Sequence, residues 1–281
     1  MSAQVLSGKQ LASEKREDMK ASVQALKEKG VTPGLAVILV GEDPASQTYV
    51  RNKQKACENT GIHSELIELP ETTPENELLS RIEELNRDES IDGILVQLPL
   101  PSHISEQSVI EAIAPSKDVD CFHPTNVGKM MIGEEGFLPC TPHGILVMLK
   151  ESGVDIAGKH AVIIGRSNIV GKPVGQLLLN EHATVTYCHS RTPNLREMTR
   201  QADILVVAVG RYGVVGGEDI KEGAVVIDVG MNRVEGKLRG DVEFESAKEK
   251  ASLITPVPGG VGPMTITMLL DNTIHSARKR S

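Results

Sequence analysis

HAVIIGRSNIVGKPVGQLLLN, residues 160–180, decides the fold. Its opening apolar run is too short for a free-standing helix and reads as a buried strand. Gly165 closes that run. Gly171 and Gly175 follow, and the chain passes into a helix with Pro173 in its first turn, where a missing N–H costs nothing. The glycines permit a tight turn and close approach to phosphate, and the helix end offers free N–H groups and a positive dipole end. The spacing is not GxGxxG, so the segment alone reads equally well as a structural turn of any α/β domain.

Working outward, short Val/Ile/Leu runs recur: LAVILVG (35–41), DGILVQLPL (92–100), ATVTYC (183–188), DILVVAVG (203–210) and AVVIDVG (224–230). Near-continuous apolar strands are what a parallel sheet covered on both faces requires. Helical stretches lie between them, at Ser7 to Lys29, Pro44 to Thr60 and Pro74 to Arg87. The alternation predicts an α/β fold in two blocks. The first block holds the strands near 35 and 92. The stretch 114–145, rich in Pro, Gly, His and Cys, reads as a long ordered connection. The second block runs from about Lys159 to Gly230, and a last apolar helix spans Thr265 to Ala277.

Composition narrows the function. At 40% hydrophobic over 281 residues there is ample material for cores, which argues against disorder. Aromatics are 2%, with no Trp, so the cores are aliphatic and base-stacking platforms are scarce. A net charge of −8 argues against a nucleic-acid binder. The longest apolar runs, such as Leu35 to Val40, fall far short of the ~20 residues that cross a bilayer, so no membrane partner is expected. The opening MSAQVLSGKQ carries no secretory pattern. Cys57, Cys121, Cys140 and Cys188 are widely spaced, with no CxxC, which points to reduced thiols in a cytoplasm. The histidines are scattered without ligand spacing, so no metal is expected.

Several polar residues stand out. ATVTYC ends in His189-Ser190-Arg191, where an NAD-preferring fold places Asp or Glu on the ribose. A hydroxyl and a guanidinium here, with Arg166 in the glycine loop, suit a 2′-phosphate, so NADP is expected over NAD. The plainer alternative makes Arg191 a solvated loop cation. Tyr49 and Lys53 are four apart on a predicted helix and share a face. Alone, that pair reads more simply as a solvent-facing lysine beside a half-buried tyrosine. It also matches the YxxxK of short-chain dehydrogenases, but there the pair follows the glycine loop, and the order here excludes that match. Gln97 sits near the C-terminal end of ILVQLPLP, where α/β sheets present ligand-binding groups, or else it satisfies nearby backbone. Asp120, in KDVD, is a ligand carboxylate or a loop cap. TPVPGGVGPMT (255–265) is a stiff loop that lets backbone approach a ligand.

Taken together these segments resemble the bifunctional methylenetetrahydrofolate dehydrogenase/methenyltetrahydrofolate cyclohydrolase family, the FolD type. The matching stretches are VGEDPASQTYVRNKQKAC, ILVQLPLP, KDVD with FHPTNVGKM, LPCTPHG, VIIGRSNIVGKP, DVGMNR and ITPVPGGVGPMT, in order from about residue 35 to 270. The resemblance implies an α/β protein of two domains with a cleft between them. An N-terminal catalytic domain, 1–140, is completed by the C-terminal helix 264–281, and a Rossmann-like NADP-binding domain with a parallel sheet spans 141–263. It implies NADP-dependent oxidation of 5,10-methylenetetrahydrofolate, then hydrolysis to 10-formyltetrahydrofolate, within one-carbon metabolism that feeds purine biosynthesis. It also implies a cytoplasmic homodimer.

Residue by residue, the resemblance makes Lys53 the catalytic lysine, with Tyr49 and Gln97 as its positioning partners. Asp120 grips the pterin, Val96 and Leu98 flank Gln97 in the substrate site, and Pro258, Gly259, Gly260, Val261 and Gly262 form the loop beside the folate. Thr141, Gly165, Arg166, Ser167, Ser190, Arg191 and Met231 contact the cofactor. Two positions depart from the pattern. Met231 falls where the family often has Ile, and Cys121 stands where Gly is more usual, so pterin affinity is expected to differ slightly. An enzyme with one of the two activities and a nucleotide-binding module without turnover are the rival readings. The set Tyr49, Lys53 and Gln97 speaks against the first, and Lys53 with Asp120 against the second.

Overall fold

The structure, a computed structural model, describes residues 2–281. The chain begins with β1 (Gln4–Val5) and α1 (Gly8–Glu28), then β2 (Gly34–Val40), α2 (Pro44–Thr60), β3 (His63–Leu69), α3 (Glu75–Arg87), β4 (Gly93–Val96), α4 (Glu106–Ala112) and α5 (Pro124–Ile132). It continues through α6 (Cys140–Glu151), β5 (His160–Ile164), α7 (Gly171–Asn180), β6 (Thr184–Cys188), α8 (Leu195–Thr199), β7 (Ile204–Val207) and β8 (Val225–Asp228). A hairpin of β9 (Asn232–Val234) and β10 (Lys237–Arg239), α9 (Phe244–Lys248), β11 (Leu253–Ile254) and α10 (Val261–Ala277) complete it. Two compact units result. The first is Glu14–Cys140 with Ile266–Ser281; the second is the chain up to Ser13 with Thr141–Thr265.

The first unit is built on a three-stranded parallel sheet in the order β3-β2-β4. Every residue of β2 and β4 is buried, as their unbroken apolar sequence requires. Leu78, Ile82 and Leu85 of α3 recur at helical spacing and close one face over Ile38, Ile94 and Val96. Truncating a fully buried side chain such as Ile82 typically costs about 2–5 kcal/mol. Residues 114–145 are not only a connection, because α5 and the start of α6 lie within them. His123 caps α5 by accepting from Thr125 N at 3.1 Å, with Pro124 opening the first turn. In this unit α10 reaches the loop after β4: Asn272 Nδ2 donates to Val119 O at 2.8 Å and Leu138 O at 2.9 Å.

The second unit is a six-stranded sheet in the order β1-β11-β8-β7-β5-β6, every neighbouring pair parallel. β5 lies between β6 and β7, so the chain reverses its direction of growth at the end of β5, the place where doubly wound sheets bind ligands. The sequence division placed residues 1–13 with the first domain. In the structure they group with the second, because Gln4 and Val5 pair in parallel with Leu253 and Ile254.

The three glycines of the deciding segment do different work. Gly165 adopts φ 126°, a conformation L side chains rarely reach. A Cβ on Gly171 would meet the backbone of Gly165 and Arg166. At Gly175 the missing side chain makes room for the Tyr187 ring of β6, whose hydroxyl donates to Lys172 O at 2.9 Å.

Candidate active site

Helix α2 presents the lysine of the first unit. Asp43 caps it, accepting from Ser46 N at 2.7 Å, Pro44 opens it, and Gly61 ends it at φ 83°. Its buried stripe runs Ser46, Val50, Lys53, Cys57, Thr60, so helical spacing carries Lys53 inward between two apolar positions. Lys53 is 8% exposed, and its Nζ donates to Gln97 Oε1 at 2.9 Å. Gln97 follows the last residue of β4. Its backbone N–H donates to Ile38 O at 2.9 Å and its Nε2 to Leu98 O at 2.6 Å, which leaves Oε1 aimed at the lysine. Tyr49, one turn before Lys53 on α2, is half-buried, and that burial raises its hydroxyl pKa.

Charge around the amine is finely opposed. Burial pushes the Lys53 pKa down, while Asp120 first, then Cys140 and Cys57, pull it back up. Burial pushes the Asp120 carboxyl up, opposed by Lys53 and by a hydrogen bond with the Cys140 thiol. Burial also drives the Cys140 thiol well above its ordinary range, with Asp120 adding to the rise. Cys140 therefore serves as a hydrogen-bond donor and not a nucleophile. The structure thus brings together Lys53, Gln97 and Asp120 and adds Cys140, which the sequence reading counted only as a thiol.

Asp118, the other carboxylate of KDVD, was also passed over. Its Oδ1 accepts from Phe122 N at 3.1 Å, and its Oδ2 accepts from His123 N at 2.9 Å and Asn126 Nδ2 at 2.8 Å. These bonds fold the loop that carries Asp120. Cys121 in that loop sits at φ 60°, which explains why glycine suits the position. Its buried Sγ donates to Phe137 O at 3.1 Å.

In the second unit, Ser167 Oγ accepts from Val170 N and Gly171 N, both at 3.2 Å, and orders the turn into α7. Arg166, Ser190 and Arg191 are exposed beside the ends of β5 and β6, and neither guanidinium is in an ion pair among the described residues. Glycine-loop backbone, a hydroxyl and two free guanidinium groups fit a dinucleotide with a 2′-phosphate. Thr141 Oγ1 lies 2.9 Å from Thr265 Oγ1, and Met231 is 45% exposed. The loop Pro258–Gly262 belongs to this unit. Gly259 O accepts from Lys9 N at 2.9 Å, and a side chain at Gly8 would strike Gly260.

A dinucleotide-type sheet in one unit and, in the other, a buried amine bonded to an amide and under the electrostatic influence of a carboxylate are features that suit a nicotinamide-nucleotide enzyme. Residues 6–120 match the tetrahydrofolate dehydrogenase/cyclohydrolase catalytic domain, and residues 139–281 match the NAD(P)-binding domain of the same name. The chain belongs to the tetrahydrofolate dehydrogenase/cyclohydrolase family. It is 69% identical over 279 residues to the bifunctional protein FolD of Halalkalibacterium halodurans, covering 99% of this chain and 100% of that one. Among solved structures, the bifunctional FolD enzyme of Campylobacter jejuni is 54% identical with a TM-score of 0.98, and each chain covers the other fully. The Trypanosoma brucei dehydrogenase-cyclohydrolase, complexed with NADP and an inhibitor, is 42% identical with a TM-score of 0.96, covering 100% of this chain and 99% of that one.

Proposed function

We propose that this chain oxidises 5,10-methylenetetrahydrofolate to the 5,10-methenyl cation with NADP and hydrolyses that cation to 10-formyltetrahydrofolate, with Lys53 exchanging the protons of the second step. The observation that carries the reading is the buried Lys53 amine donating to Gln97 at 2.9 Å beside Asp120.

NADP supplies the hydride acceptor for the methylene carbon. The product cation is delocalised over two nitrogens, so that step needs no proton transfer, and the residues around the substrate act by holding the carbon in place. Hydrolysis differs. Water adds to the methenyl carbon, one proton leaves for solvent, and the ring C–N bond breaks as its nitrogen takes up a proton. Burial lowers the Lys53 pKa, which makes the neutral amine accessible as the base that receives the water proton. Gln97 Oε1 orients the amine, and Tyr49 lines the same helix face. Asp120 is assigned to the pterin N–H groups, with Val96 and Leu98 flanking. Pro258 to Gly262 are assigned to the folate, and Thr141, Gly165, Arg166, Ser167, Ser190, Arg191 and Met231 to the cofactor.

The deciding experiment pairs two assays on one preparation: NADP reduction with methylenetetrahydrofolate, and cofactor-free hydrolysis of methenyltetrahydrofolate. Lys53→Met is expected to lower hydrolysis at least about 100-fold, the lower range for loss of a general base, while measurable dehydrogenase persists. Full hydrolysis by the purified variant refutes the assignment.

The protein is further read as a cytoplasmic homodimer. Four buried cysteines without disulfides support the compartment. The outer side of β6, unpaired among the described residues, supports self-association.

A further inference from the structure

Two carboxylates that the chemistry above does not use lie buried in the second unit. Asp241 is 0% exposed and Asp228 is 3% exposed. Neither is in an ion pair among the described residues; both are held by N–H groups. Asp241 Oδ2 accepts from Val209 N at 2.7 Å and Gly210 N at 2.9 Å. Its Oδ1 accepts from Arg211 N at 2.8 Å and Asn232 Nδ2 at 2.9 Å. Asp228 Oδ1 accepts from Gly230 N at 3.0 Å and Asp241 N at 2.8 Å, and its Oδ2 from Val242 N at 3.0 Å. Room for both is made by glycines: a Cβ on Gly230 would collide with the Asp241 carboxylate, and one on Gly240 with that of Asp228.

Packing two unneutralised carboxylates side by side is a poor route to stability, since each loses its hydration and they repel one another. What the pair achieves is geometric. It gathers three backbone segments, 209–211 after β7, 230–232 after β8 and 241–242 after the β9–β10 hairpin, onto two side chains. The first two lie beyond the carboxyl ends of β7 and β8. In a sheet of this order the adenosine ribose sits at the end of β6 and the pyrophosphate at the loop after β5, so the remaining half of a dinucleotide extends over β7 and β8.

We infer that Asp241, supported by Asp228, is a positioning residue that fixes the loops under the nicotinamide half of NADP. The inference rests on the NADP reading above. Asp241 acts through the 209–211 backbone, and Asp228 through Gly230, the residue that precedes Met231. An asparagine at 241 keeps the shape but turns an NH₂ group toward one pair of N–H donors, so either the bonds from Val209 and Gly210 or those from Arg211 and Asn232 are lost, and the 209–211 loop is loosened in both cases.

The test uses the full chain and two probes, NADP and 2′,5′-ADP, the latter carrying only the adenosine half. For Asp241→Asn, the KM for NADP is expected to rise roughly tenfold or more, the size of one or two lost charge-assisted hydrogen bonds. The Kd for 2′,5′-ADP and the rate of cofactor-free hydrolysis are expected to stay within about twofold, which lies inside the usual scatter for distant sites. Asn232→Ala, which removes one bond to Asp241 and one to Gly240 O but leaves the bonds to 209–211 in place, gives the same pattern at roughly threefold and serves if Asp241→Asn does not fold. A parallel loss of NADP and 2′,5′-ADP binding in a folded variant, or no change in either, overturns the inference. If the unaltered protein binds neither probe, the cofactor reading falls first and the positioning role with it.

Discussion

The buried carboxylate of Asp118 in the first unit makes pH a probe of the site loop. Burial pushes Asp118 up to about 6 from 3.8, against hydrogen bonds from Asn126, His123 and Phe122 that pull it down. A raised carboxyl pKa means that between roughly pH 4 and 6 the folded chain holds a proton the unfolded chain has released. The stabilising contribution is therefore complete below about 4 and is lost as pH rises through about 6, opposite to a salt-bridged aspartate. Asp118→Asn removes this dependence. The melting temperature of the unaltered protein minus that of the variant is expected to shrink as pH goes from 4 to 6.5. A difference that stays constant or grows contradicts the buried, proton-holding carboxyl. At this scale Gln97 and Asp120 stand out in the sequence, because an amide in an apolar strand and a carboxylate in KDVD look out of place, whereas Lys53 reads alone as solvent-facing and is singled out only by the family resemblance; the structure buries it. The sequence concealed the work of Asp118, Asp228 and Asp241, because only the N–H groups that converge on them in the folded chain reveal it.

Elements were legible in proportion to their burial. β2, β4, β5, β7 and β8 announce themselves as unbroken apolar runs because helices cover both faces of their sheets. β3 was passed over because HSELIEL mixes polar with apolar residues and none of its residues is fully buried. β1 and β11, two residues each, carry no periodicity at all. α10 was found, but it begins at Val261, four residues before its apolar stripe, because Val261 and Gly262, the second half of GGVG, already fold helically. That helix supplies a test. Asn272 is 5% exposed and donates to Val119 O and Leu138 O, so Asn272→Ala leaves two carbonyls without those partners beside Asp120. The expected loss is about 3 kcal/mol, read as a fall in melting temperature of roughly 6–12 °C for a chain of this size. Ser276→Ala, which removes one bond to Ser116 O, is expected to cost only about 1 kcal/mol. Equal effects from the two variants contradict the role given to Asn272.

For the whole molecule the decisive feature is the edge of the six-stranded sheet. Among the described residues β6 pairs only with β5, and its outer side presents five residues of backbone with Tyr187 41% exposed. Natural edges are usually short, charged or covered, and TVTYC carries no charge to discourage pairing. A second copy is the simplest cover, since a twofold axis through the strand centre sets β6 antiparallel to itself and extends the sheet. Thr186 is the middle residue of β6, so in such a pair it lies closest to its own copy. Thr186→Arg then sets two guanidinium groups against each other, and like charges directly opposed across strands are destabilising. Sedimentation is expected to give a mass near twice 30.3 kDa for the unaltered chain and to fall toward the single-chain value for the variant at micromolar concentration. Far-ultraviolet circular dichroism and a retained cooperative melting transition check that the variant is folded. An unaltered chain that sediments at one copy rules out the dimer, and a variant that stays paired moves the interface away from β6.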